Sequence, residues 1–170
     1  INFHLIKKGI KNYMCILTSD GKFKKVLFDE DMIKSNRYFA ITKLKNNIKI
    51  IDSFIFNEEK NLVILTSIGR IFKFNLSNKV LTPTTKQAQG LMLAKLLPSE
   101  KIVSCCPYQS GESIYLVSKK GKIFCLNSNE IYYTNEYSLG YLHEKTQIKN
   151  DSFLKILPSN CYLDIETNRN

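Results

Sequence analysis

The apolar residues of this chain come in short runs of at most five, separated by polar turns, and three stretches repeat one another. They are Met14-Cys15-Ile16-Leu17-Thr18-Ser19-Asp20-Gly21-Lys22-Phe23, Leu62-Val63-Ile64-Leu65-Thr66-Ser67-Ile68-Gly69-Arg70-Ile71 and Ile114-Tyr115-Leu116-Val117-Ser118-Lys119-Lys120-Gly121-Lys122-Ile123. Each reads as an apolar strand, a tight turn closing on glycine, and a second strand that opens with a basic residue. This pattern predicts a β-hairpin, with the glycine supplying a positive φ. A fourth copy starts at Tyr162-Leu163-Asp164-Ile165.

Further strands recur on the same beat. Phe3–Ile6, Ile50–Phe56, Lys101–Cys106 and Ser152–Leu157 each precede a hairpin. Gly90 and Gly140 mark matching turns in the polar stretches that follow two of the hairpins. Leu91–Leu97 fits a helix by composition, but its place in the repeat predicts loop and strand. Periods of about fifty residues with several short strands each predict an all-β, propeller-like array. One small sheet cannot bury both its faces, so neighbouring sheets must stack. The repeats divide as blade 1 over about 1–47, blade 2 over about 48–98, blade 3 over about 99–149, and a partial blade 4 over about 150–170. The first residue is Ile1 and the last is Asn170, and the expectation is a fragment of a longer polypeptide.

Charge adds a candidate partner. The 170 residues hold 25 Lys+Arg against 15 Asp+Glu, a formal net charge of +10. Such an excess attracts polyanions. Only Arg37, Arg70 and Arg169 are arginine. Lysine acts as a point charge rather than a bidentate fork, which favours phosphate contact over base-edge reading. The competing reading is codon usage, since Ile and Asn are also abundant, and a scaffold without nucleic-acid binding.

Other chemistry is sparse. The five cysteines, Cys15, Cys105, Cys106, Cys125 and Cys161, contain no CxxC pair and sit in apolar runs, so buried free thiols are expected. His143-Glu144 begins an HExxH pattern that fails at Gln147, and His4 stands alone in a strand. Asp29-Glu30-Asp31 reads as a solvated turn. No catalytic or metal site is expected, and no membrane span. Most of the aromatic residues, including Tyr132, Tyr133, Tyr137 and Tyr141, are expected to pack.

The Leu-Thr-Ser-x-Gly-(Arg/Lys) hairpin, followed by a loop such as Lys86-Gln87-Ala88-Gln89-Gly90-Leu91, resembles the C-terminal repeat of the DNA gyrase A protein, which has a counterpart in topoisomerase IV. The resemblance implies a β-pinwheel, a propeller variant with strands exchanged between four-stranded blades. It implies duplex DNA as ligand, bound without sequence preference and bent or wrapped along a basic rim. It also implies partners for the whole enzyme: the remaining domains of the A protein, an ATP-hydrolysing B protein in an A2B2 assembly, and ATP and magnesium outside this fragment. The catalytic tyrosine of that family lies in a preceding domain. A cytoplasmic, nucleoid-associated location follows, or a plastid stroma if the protein is organellar. The family's Gln-Arg-Arg-Gly-Gly-Lys-Gly heptapeptide has no copy here. The expected DNA-contacting residues are Lys22, Arg70 and Lys122 after the turn glycines, then Lys24, Lys25 and Lys73 on the same strands, and Lys86, Lys43, Lys45, Lys145 and Arg37 in loops. The expected turn glycines are Gly21, Gly69, Gly121, Gly90 and Gly140.

Overall fold

The computed structural model describes residues 11–28, 32, 40–56, 60–77 and 81–159. Phe3–Ile6, His4, Asp29–Asp31, Arg37, Cys161 and the partial fourth hairpin lie outside the described residues.

Three hairpins form where the repeats predict them: β1 (Asn12–Thr18) with β2 (Lys22–Phe28), β4 (Asn61–Thr66) with β5 (Arg70–Asn75), and β8 (Ser113–Ser118) with β9 (Ile123–Asn127). Each turn is closed by the same bond. The amide of Gly21, Gly69 or Gly121 donates to the carbonyl of Thr18, Thr66 or Ser118 at 3.0–3.1 Å. A hydroxyl at the strand end reinforces it, with Thr66 Oγ1 accepting from the Arg70 amide and Ser118 Oγ from the Lys122 amide, both at 3.1 Å.

The remaining strands are β3 (Ile50–Phe56), β6 (Leu91–Met92), β7 (Ile102–Tyr108), β10 (Tyr141–Leu142) and β11 (Phe153–Pro158). They sort into three antiparallel sheets, ordered β3-β1-β2-β6, β10-β5-β4-β7 and β11-β8-β9. Strands β3, β7 and β11 therefore pair back onto the preceding hairpin. Two-residue strands β6 and β10 travel further, Met92 pairing with Lys22 and Leu142 with Arg70. The sheets thus draw strands across the sequence periods. Leu91–Leu97 is loop and short strand, not helix. Gly90 and Gly140, at φ +86° and +65°, deliver the exchanged strands. A Cβ at either would lie 2.7 Å from a carbonyl of the receiving strand, Phe23 or Ile71.

The middle sheet is covered on both faces. Every residue of β4 is buried. Side chains on a strand alternate between faces. Leu62 and Ile64 accordingly join one core with Leu17, Phe23, Phe54 and Phe72, while Val63 and Leu65 join the other with Ile71, Ile114, Leu116 and Phe153. This is why β4 reads as an unbroken apolar run instead of an alternating one.

Candidate nucleic-acid interface

The lysines divide sharply by their position along the second strand of each hairpin. Three expected surface residues are buried: Lys24 is 3% exposed, Lys25 2% and Lys73 6%. Their role changes from DNA contacts to internal fasteners. An ammonium group inside a protein must find acceptors, because leaving it unpaired is costly. Lys25 Nζ donates to the Leu76 carbonyl and lies 4.7 and 5.0 Å from the ring centroids of Tyr13 and Phe56. Lys73, at the matched position of the next repeat, donates to the carbonyls of Ser128 (3.2 Å) and Ile131 (3.0 Å) and sits 4.4 Å from the Tyr133 ring centroid. The backbone repeats the arrangement: the amides of Thr84 and Thr134 donate to the carbonyls of Lys25 and Lys73. Lys24 Nζ donates to the carbonyls of Ile41 and Lys86. Burial draws the Lys24 and Lys73 ammonium groups below the ordinary lysine value. The third repeat has Cys125 at the same position, and it is exposed. It departs from the expected burial, whereas Cys15, Cys105 and Cys106 are buried free thiols.

Of the remaining basic candidates, Lys22, Lys43, Lys45, Arg70 and Lys122 lie at the turn ends of the hairpins. Around the first turn, Lys22, Lys43 and Lys45 border a shallow hollow shared with Thr18, Asp20, Thr42 and Gln89. Lys43 and Lys45 are exposed, and Lys22 is half-buried with its ammonium 3.4 Å from the Asp20 carboxylate. Asp20 is held below the ordinary carboxylate value, with bonds from the Thr18 hydroxyl and Lys22 outweighing its partial burial. At the second turn Arg70 is engaged with buried Glu100, Nε to Oε1 3.7 Å. At the third, Lys122 is exposed beside exposed Lys119 and Lys120. Lys86 is half-buried in the loop before β6, and Lys145 is exposed but paired with Glu130 at 2.9 Å.

Two further basic residues lie outside the repeated motif. Exposed Lys49 and Lys101 stand one residue before β3 and β7, where their carbonyls accept from the Ser19 and Ser67 amides at 2.8 Å. Their backbone path is fixed two residues earlier by Asn47 and Ser99, at φ +68° and +65°. Their sequence signal is positional: each follows a turn and opens an outer strand at the same place in the period. They bring further charge to the first two turn ends.

The described residues contain no group of three or more His, Cys, Asp or Glu that could hold a metal, and no helix long and apolar enough to cross a membrane. His143 Nδ1 accepts from the Lys145 amide at 3.2 Å, capping a single 3₁₀ turn.

No family model matches the chain. The chain is 22% identical over 113 residues to the DNA gyrase A protein of Borrelia hermsii, an alignment covering 66% of this chain and 14% of that protein. The chain therefore spans a small part of the curated relative. The C-terminal domain of DNA topoisomerase IV superposes with a TM-score of 0.74 at 18% identity, covering 91% of this chain and 48% of that one. The E. coli ParC C-terminal domain gives 0.61 at 14% identity, covering 87% and 56%. The nearly all-β architecture of small antiparallel sheets is the β-pinwheel fold of the C-terminal domains of topoisomerase IV and ParC.

Proposed function

We propose that this chain is a duplex-DNA-binding and DNA-bending module from the A protein of a type IIA topoisomerase, acting without sequence preference. The observation that carries the reading is the segregation of lysines. Lys24, Lys25 and Lys73 are buried, and exposed Lys43, Lys45, Lys49, Lys101, Lys119, Lys120 and Lys122 stand at the hairpin turns or on the segments bonded to them. A series of ammonium groups at matched positions suits a phosphate backbone, since each neutralised phosphate releases counterions. Contacts spread over several sheets can offset the elastic cost of bending the duplex. The resemblance to gyrase and topoisomerase IV supports a place in a larger enzyme, with a B protein that hydrolyses ATP, in an A2B2 assembly in the cytoplasm at the nucleoid. The chemistry of strand passage belongs to other domains. ATP and magnesium are needed there and not for binding by this module.

Titration of the 170-residue chain with a random-sequence duplex of about 40 base pairs, across a salt series, tests the reading. For about six phosphates, log K should fall against log salt with a slope near −5. Replacing Lys43, Lys45 and Lys49 together by Gln should make the slope shallower by about 2 to 3, roughly 0.9 per lost contact, with little change in stability. A flat salt response, or affinity untouched by the triple substitution, would leave the scaffold reading in its place.

A further inference from the structure

The loop after the third hairpin differs from its counterpart in the second repeat. Between the turn that follows the hairpin and the glycine that starts the exchanged strand, the second repeat reads Thr82-Pro83-Thr84-Thr85-Lys86-Gln87-Ala88-Gln89. The third reads Tyr132-Tyr133-Thr134-Asn135-Glu136-Tyr137-Ser138-Leu139. Lysine has become glutamate, Thr82, Pro83 and Gln87 are matched by tyrosine, and Gln89 is matched by leucine. These aromatic residues do not pack away, contrary to the expectation from sequence. Tyr132 is 72% exposed, Tyr133 58% and Tyr137 62%, and Leu139 and Leu142 stand out beside them.

The loop is held, not loose. The Thr134 amide donates to the Lys73 carbonyl, the Tyr137 amide to the Leu93 carbonyl and the Lys95 amide to the Ser138 carbonyl, at 2.8–3.0 Å. Tyr141 Oη accepts from the Tyr132 amide at 2.8 Å, and the two rings lie 5.8 Å apart. Tyr133 Oη donates to Asn61 at 2.8 Å. Tyr137 sits at φ +54°, a left-handed conformation that disfavours a bulky residue and is retained only where the surroundings enforce it. Rigid, exposed aromatic rings are the anchors that protein interfaces favour, because their burial orders few torsions.

The electrostatics run against the rest of the molecule. Beside Tyr132 and Tyr141 a groove is bordered by Leu142, His143, Glu130 and Glu144, and Glu136 is exposed on the same loop. The nearby lysines are engaged, Lys145 with Glu130, Lys95 over the Tyr137 ring at 5.6 Å and buried Lys73 over the Tyr133 ring at 4.4 Å. A phosphate backbone meets carboxylates here, whereas a basic segment meets complementary charge and ring faces for cation–π contact. We propose that residues 130–144 form a docking face for a protein partner, specifically a segment that alternates apolar and basic side chains.

The test uses the isotope-labelled 170-residue chain and two probe peptides with the same apolar residues, acetyl-Leu-Arg-Leu-Lys-Leu-Arg-amide and its counterpart with Glu at the charged places. The basic peptide should shift backbone amide resonances of 130–144, and the acidic one should not. Tyr132→Ser combined with Tyr137→Asn should weaken the basic peptide at least tenfold and leave duplex affinity within twofold. Asn is chosen at 137 because it tolerates the left-handed backbone. Absence of shifts with either peptide, or equal shifts with both, overturns the proposal. So does a tenfold loss of affinity for the 40-base-pair duplex or for a single-stranded oligothymidine in the double variant, which would assign the loop to nucleic acid. The salt series tests DNA binding on the native loop, so the two proposals can fail separately.

Discussion

Gly69→Ala is expected to destabilise the protein by about 3 kcal/mol or more, while Gly121→Ala costs only about 1 kcal/mol. Both glycines close the same turn in the same left-handed region, φ +91° and +77°. An L-residue there costs on the order of 1–2 kcal/mol by backbone strain alone. At Gly69 a steric term is added. The new methyl group would stand 2.4 Å from the Thr146 carbonyl oxygen and 2.9 Å from the Phe153 ring. Both neighbours are fixed, Phe153 in the core and the 146 backbone in the segment that closes over the turn. Overpacking of that kind typically costs another ~1–3 kcal/mol. At Gly121 nothing lies within 4 Å. Urea unfolding of the two variants beside the parent chain makes the comparison. Equal losses would mean that turn strain decides the cost and that the close approach relaxes.

Lys73→Met should cost about 2–4 kcal/mol and leave DNA binding unchanged. The thioether fills most of the space left by the lysine stem but donates nothing. The Ile131 carbonyl would lose its ammonium donor, and the Ser128 carbonyl would keep only the 3.4 Å bond from the Ile131 amide. A buried acceptor without a partner costs about 1–3 kcal/mol. The cation–π contact with Tyr133 is lost as well. The midpoint of urea unfolding should fall with an unchanged slope, because the surface exposed on unfolding is the same. Below that midpoint the salt dependence of duplex binding should match the parent. A variant of parental stability whose salt slope is shallower by about one would place the ammonium on a phosphate and reverse the reassignment.

The hairpins are legible in the sequence because their signals are local. An apolar strand, a Thr or Ser at its end and a glycine three residues on define the turn within nine residues, and the recurrence supplies the period. Pairing partners are less legible. Strand β3 lies before the second hairpin in sequence yet bonds to β1 of the first. A two-residue strand such as Leu91–Met92 carries almost no pattern of its own. Only the positive-φ glycine ahead of it marks where the chain turns to meet its receiving strand. The lysines show the limit of charge counting. Lys22 and Lys25 occupy one strand with the same charge, but one faces a turn end and the other a gap between sheets. Which one a given lysine faces depends on the next repeat, whose Leu76 carbonyl and covering loop do not show in the hairpin's own residues. The tyrosines of 132–137 mislead for the opposite reason. Aromatic residues are usually buried, and no local feature marks a loop that keeps them out.

The exchanged strands also set an order in time. As the chain is made from its N-terminus, the β1–β2 hairpin is complete early, but the strand that covers its outer edge ends at Met92. The β4–β5 hairpin waits in turn for Leu142. Between those moments each hairpin emerges from the ribosome with bare backbone donors and acceptors along β2 or β5. Such an edge is open to pairing with a neighbouring nascent chain. Each new repeat removes the hazard left by the one before it, so a ribosome that stalls within a period leaves its most recent hairpin unprotected.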